Sequence, residues 1–134
     1  MNRLLRLFPG ARTANMPVQS GAYLLTISLG EKFAGSLRGK PYELPAGTYV
    51  YAGSANGPGG VAARVARHMR KDKKLHWHVD ALTVAASEIT AFAFPGGNEC
   101  ALVERLLGEG YEAPLPGFGS SDCRSCPAHL LRLQ

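Results

Sequence analysis

The chain has 134 residues, 46% hydrophobic and 19% charged, so a single compact domain with its own core is expected and wholesale disorder is excluded. No apolar run approaches the ~18 residues of a membrane span, because Glu88 interrupts the longest candidate, residues 82–94. Sixteen glycines and nine prolines imply short elements joined by specified turns, which disfavours coiled coils and helical bundles. The formal charge of +5 is concentrated: residues 61–74 carry Arg64, Arg67, Arg70, Lys71, Lys73 and Lys74 against Asp72 alone. A basic helix of this kind suits a polyanion such as nucleic acid, with a solvated surface helix as the alternative.

Residues 1–20 hold Arg3, Arg6 and Arg12 and no acid, and read as a loosely ordered basic extension, with Met16 as an alternative start. Arg6 breaks the only apolar run there, so a secretory signal is not expected. An odd set of cysteines, Cys100, Cys123 and Cys126, fits a reducing cytoplasm. Residues 21–28 (GAYLLTIS) are rich in β-branched and aromatic side chains and predict a strand. Pro41, Pro45 and Gly47 make residues 39–47 a loop or a short edge strand, and residues 48–54 (TYVYAGS) form the second main strand.

Asn56-Gly57-Pro58-Gly59-Gly60 forces a turn, after which a helix begins at Val61. At about 100° per residue, Val61, Ala62, Val65, Ala66 and Met69 fall on one side of that helix, with Arg64, His68 and Lys71 along the edge of the stripe. A second, shorter helix starts near His76 and runs through Val79, Leu82 and Ala86. Residues 88–94 form a third strand. Asn98 is a good N-cap for a helix from Glu99 to about Leu107, with Gly108 as terminator. A turn-rich stretch, residues 114–126, precedes a last short strand at 130–133.

Several residue types point to chemistry. Arg64 and His68 lie one turn apart, so a guanidinium that neutralises a phosphate and an imidazole that moves a proton can act on one group. Tyr23 and Tyr51 are each flanked by small residues, which leaves a phenol approachable. Glu99 sits mid-face among Leu102, Val103 and Leu106, where a charge is costly without a metal ion, a salt bridge or a place at the open end of the sheet. His76, His78 and Asp80 either share one face of a strand as a metal triad or form a hydrogen-bonding cluster that shapes the site. Cys123, Cys126 and His129, with Cys100 as a fourth ligand, have spacing compatible with Zn²⁺, the alternative being thiols without metal.

In this order, Gly21-Ala22-Tyr23, Tyr51-Ala52-Gly53-Ser54, Arg64, His68 and the helical Glu99 resemble the GIY-YIG nuclease superfamily. YVYAGSANGPGG, ARHMR, HWHVDAL, NECAL and GFGSSDCRSC resemble its single-domain branch, the Uri-type endonucleases, over residues 21–134. The resemblance implies an α/β (α+β) domain with a three-stranded antiparallel core sheet flanked by helices. It implies a metal-dependent endonuclease that hydrolyses phosphodiester bonds in DNA with one divalent ion, Mg²⁺ or Mn²⁺. Tyr23 and Tyr51 match the two motif tyrosines, Arg64 the helix arginine, His68 the histidine one turn on, and Glu99 the metal-binding carboxylate. Arg67, Arg70, Lys71, Lys73 and Lys74 would then contact DNA. The sequence departs from the family in its 28-residue separation of Tyr23 from Tyr51 and in Ala22, where isoleucine is usual, and Gly47-Thr48-Tyr49 is a competing match to the first motif. A catalytically silent nucleic-acid-binding module of the same fold is the alternative function.

Overall fold

The computed structural model describes residues 2–75, 77–116, 118 and 128–133. Its elements are α1 (Asn2–Leu7), β1 (Gly21–Leu29), β2 (Phe33–Leu37), β3 (Lys40–Leu44), β4 (Gly47–Ala55), α2 (Gly60–Met69), α3 (Asp80–Ala85), β5 (Glu88–Pro95), α4 (Glu99–Gly108), β6 (Tyr111–Glu112) and β7 (Leu130–Leu133). The main sheet is antiparallel with order β5-β1-β4-β7-β6, and β2 and β3 form a separate hairpin. The fold is therefore mixed α+β. The sheet has five strands where three were expected: β5, β1 and β4 lie side by side, and β7 and the two-residue β6 extend it beyond β4. Two residues are too short to leave an alternation pattern, which is why β6 is invisible in the sequence.

Both faces of the sheet are covered, and the pleat divides its side chains accordingly. Tyr23, Leu25 and Ile27 of β1 and Tyr49 and Tyr51 of β4 point to the face that holds Val61 and Val65 of α2 and Leu82 of α3. Ala22, Leu24, Val50 and Ala52 point to the other, where Leu102, Val103 and Leu106 of α4 pack. Central β1 is buried almost throughout, so it reads as a continuous apolar run without alternation.

The amino-terminal segment, read from the sequence as a basic extension, makes contacts with the sheet and with α2. Leu4 is buried in the second cluster, the Phe8 ring meets Phe94 edge-on at 5.3 Å, and Arg12 bridges to Ala93 on the outer edge of β5. The carbonyls of Gln19 and Pro17 accept from the backbone N–H groups of Val61 and Ala62, satisfying donors that the first turn of α2 leaves open. This close approach explains Gly60, with φ +60°, because a Cβ there would collide with the Val18 carbonyl. Residues 39–47, expected as a loop or an edge strand, supply β3, and the turn at Arg38 (φ 52°) and Gly39 (φ 81°) joins it to β2. The hairpin accounts for the long separation between Tyr23 and Tyr51. Among the described residues no helix is long and apolar enough to cross a membrane.

Candidate active site

Gly21 pairs with Ala55 on one side and Pro95 on the other, so the start of β1 and the ends of β4 and β5 share one end of the sheet. Helices α2 and α4 both begin just beyond that end, on opposite faces. This arrangement brings α2's Arg64 and His68 and α4's Glu99 toward the two tyrosines.

Tyr23 is opposite Gly53 in the register, and Tyr51 lies diagonally two residues away on the same face. The Tyr23 ring lies across Gly53, where a Cβ would overlap its hydroxyl and ring. The glycine of the Tyr-Ala-Gly motif is thus a space requirement for the other tyrosine. The Tyr23 hydroxyl is 2.7 Å from His68 Nε2, and the His68 ring also meets Tyr51 at 6.1 Å and Trp77 at 5.8 Å. His68 is fully buried, and its Nδ1 has no hydrogen-bond partner among the described residues.

Burial lowers His68 to about 3, and the Lys73 charge pushes the same way, so the imidazole is neutral at ordinary pH. A neutral imidazole accepts the Tyr23 proton in the hydrogen bond through Nε2 when Nδ1 carries the ring hydrogen. Burial pushes the Tyr23 phenol far above the usual tyrosine range, Tyr51 adds to the rise, and the Arg64 charge opposes it. Tyr51 is raised by burial and then by the Glu99 carboxylate. Tyr49, from the competing motif match, instead donates to the Pro45 carbonyl at 2.6 Å beneath the Arg132 guanidinium.

Arg64 donates through Nη1 to the Ser54 carbonyl at 3.1 Å and lies over the Trp77 ring, 4.4 Å from its centroid. No carboxylate pairs with it among the described residues. Glu99 is the first residue of α4, beyond the Asn98 cap whose side chain accepts from the Ala101 N–H. Its side chain is 20% exposed, so of the alternatives open for it, the end of the sheet describes its place best. His129 Nδ1 approaches it at 3.6 Å, an ion pair only when the imidazole is protonated.

Three of the five expected DNA-contacting cations have their charged heads engaged within the fold. Arg67 makes two 2.9 Å bonds to the fully buried Asp80 and a 3.1 Å bond to the Lys74 carbonyl. Lys73 Nζ, on a side chain 3% exposed, donates to Thr83 Oγ1 at 2.6 Å and the His68 carbonyl at 2.9 Å. Lys71 Nζ donates to the carbonyls of Thr83 and Ala86 at the end of α3. Arg70 and Lys74 are exposed, Arg70 with a 3.5 Å contact to Asp72. The sequence marks these residues as a basic stretch but does not show Asp80, thirteen residues beyond Arg67, folding back on it.

His76, Cys123 and Cys126 lie outside the described residues. His78 packs against Phe118 with ring centroids 5.7 Å apart, and Asp80 faces Arg67. No group of three or more His, Cys, Asp or Glu able to hold a metal occurs among the described residues. Cys100 is in a disulfide, so in this state its sulfur is neither the free thiol expected of a reducing compartment nor a thiolate ligand for zinc. His129, the histidine of the expected zinc set, has Glu99 as a neighbour.

A family model matches residues 22–134, nearly the whole region that contains these features. The chain belongs to the family described as domain of unknown function DUF123. The match begins at Ala22 and so includes every residue assigned to the candidate site. No curated protein and no solved structure gives a significant match.

Proposed function

We propose that this DUF123 protein is a divalent-metal-dependent endonuclease acting on DNA, of the GIY-YIG type and closest to the Uri-type branch. The observation that carries the reading is the buried Tyr23–His68 pair beside Arg64, a guanidinium with no carboxylate to neutralise it among the described residues. Phosphodiester hydrolysis requires a water made nucleophilic, neutralisation of the nonbridging oxygens, and assistance to the departing alkoxide. Tyr23 takes a proton from the attacking water as its own phenolic proton passes to His68 Nε2, while Arg64 binds the nonbridging oxygens. Tyr51, under the same face, orders the water.

Glu99 supplies one partly exposed carboxylate at the rim, which suits Mg²⁺ or Mn²⁺ that keeps several waters and is completed by substrate oxygens. When bound, such an ion supplies positive charge to the phosphate and to the leaving oxygen. Arg70 and Lys74 are exposed cations of the basic stretch and would track the DNA backbone.

The pair is held neutral in the free protein, with Tyr23 driven up and His68 driven down. This favours a second reading, a nucleic-acid-binding module that does not cleave. Incubating supercoiled plasmid and branched, nicked and linear duplexes with Mg²⁺ or Mn²⁺ decides between them. Metal-dependent nicking that Tyr23→Phe, Arg64→Ala and Glu99→Gln each abolish is expected. Binding without cleavage under every metal condition would leave the silent module.

A further inference from the structure

Trp77 and Asp80 have no role in the chemistry above, yet the Trp77 ring lies against Arg64. We propose that Trp77, anchored by Asp80 and Arg67, is a positioning residue that aims the Arg64 guanidinium at the scissile phosphodiester, an inference that rests on the nuclease reading.

Two guanidiniums of α2 lie over the same indole, with carbon-to-centroid distances of 4.4 Å for Arg64 and 4.2 Å for Arg67. Their remaining contacts differ. Arg67 is neutralised by the Asp80 carboxylate, bonding both of its oxygens, and also donates to the Lys74 carbonyl. Arg64 donates to the Ser54 carbonyl and also reaches the Tyr23 hydroxyl, both of them uncharged acceptors. These two neutral contacts leave the plane of the guanidinium to be set in part by the ring beneath it. The indole face attracts the cation and restricts its plane, but carries no net charge to neutralise it. Arg64 is thus oriented while its charge and most of its N–H donors remain for a phosphate.

The indole is itself fixed. The Trp77 backbone N–H donates to Asp80 Oδ2 at 2.8 Å, and the Asp80 N–H donates back to the Trp77 carbonyl at 3.0 Å. Asp80 is fully buried, so this loop-to-helix corner does not exchange its partners with water. The same carboxylate holds Arg67 over the ring. One buried acid therefore sets both the backbone that carries the indole and the cation beside Arg64.

The test compares Trp77→Leu, Trp77→Phe, Arg64→Ala and the double variant Trp77→Leu/Arg64→Ala in metal-dependent DNA cleavage, with DNA affinity and melting temperature measured alongside. Trp77→Leu should leave affinity within about threefold and lower the rate at saturating DNA by about 10²-fold, the scale of a misaligned catalytic group. Trp77→Phe, which keeps an aromatic face, should recover most of that loss. Trp77→Leu should add nothing to the defect of Arg64→Ala. Losses that multiply in the double variant, or a Trp77→Leu protein that cleaves at the unmodified rate, overturn the inference.

The contact is also read without catalysis, through the ring-current shift of the Arg64 Nε–Hε resonance, assigned by its loss in Arg64→Lys. A resonance that Trp77→Leu does not move overturns the positioning role even where cleavage is observed. Wild-type protein that shows the shift but cuts no DNA overturns the nuclease reading, and the phosphodiester role of Trp77 with it, while leaving the contact established.

Discussion

Gly53→Ala tests the geometry of the site more directly than removal of any polar group. Gly53 is in the middle of β4 with no positive φ, so alanine is admissible for the backbone and the whole effect is one of space. The added Cβ would overlap the Tyr23 hydroxyl and Cζ, and would stand 2.9 Å from Cε1. Tyr23 is 1% exposed and packed among core residues, so relief requires a movement of roughly 1 Å into occupied volume. Overpacking of this kind costs ~1 to 3 kcal/mol. Disturbing the 2.7 Å bond to His68 strands two buried polar groups and adds ~1 to 3 kcal/mol. For a chain of this length the sum corresponds to a fall in melting temperature of about 8 to 20 °C.

The two components separate in a double-mutant cycle with Tyr23→Phe, which removes the hydroxyl that both overlaps the new methyl and bonds His68. Gly53→Ala should cost at least ~1 kcal/mol less in the Tyr23→Phe background than in the unmodified protein. Chemical denaturation of the four proteins measures this. A Gly53→Ala protein that melts within about 3 °C of the parent, or costs that simply add, would refute the placement of Tyr23 over Gly53.

Three further outcomes follow from the same geometry. His68 is lowered from 6.5 to about 3 in the folded state, so the unfolded chain binds the extra proton; stability from this group is complete above pH 6.5 and is lost as pH falls toward 3, by roughly 3 to 5 kcal/mol. Urea melts from pH 7 to 4 should show this decline, and His68→Asn should flatten it; an equal slope in the variant would refute the assignment. Lys74→Ala with Arg70→Ala should reduce the salt dependence of DNA binding by about one unit of slope for each phosphate that is no longer neutralised, whereas Lys73→Ala should leave the slope unchanged and lower stability, because its head is inside the fold. Glu99→Gln should remove the rise in melting temperature that Mg²⁺ or Mn²⁺ produces while changing the metal-free value by less than a few degrees, since the side chain is partly exposed; a metal-induced rise that persists would place the ion elsewhere.

Much of the fold was legible because its signals are local. The centre of the sheet, the glycine-rich turn before α2 and the Asn98 cap of α4 each depend on residues within one element or its boundary. The β2–β3 hairpin was harder to read. Its strands are short and half-exposed, and Pro41 and Pro45 argue locally against pairing. Composition also gave no sign of the contacts of Leu4 and Phe8, which are few among polar neighbours and pack against Phe94 and α4, distant in sequence.

Charge is where sequence and structure diverge most, and Arg64 and Arg67 show why. They are three residues apart on one helix and lie over one indole, so charge alone does not tell them apart. What separates them is Asp80, a fully buried carboxylate that bonds the Arg67 guanidinium twice and forms no ion pair with Arg64 among the described residues. A buried acid needs a cation beside it, so Arg67 is held by the energetics of folding. Arg64 meets a carbonyl and an aromatic face, which direct it without neutralising it. The cation proposed to meet the phosphate is thus one whose charge no described carboxylate answers, and the sequence alone does not show where the acids go.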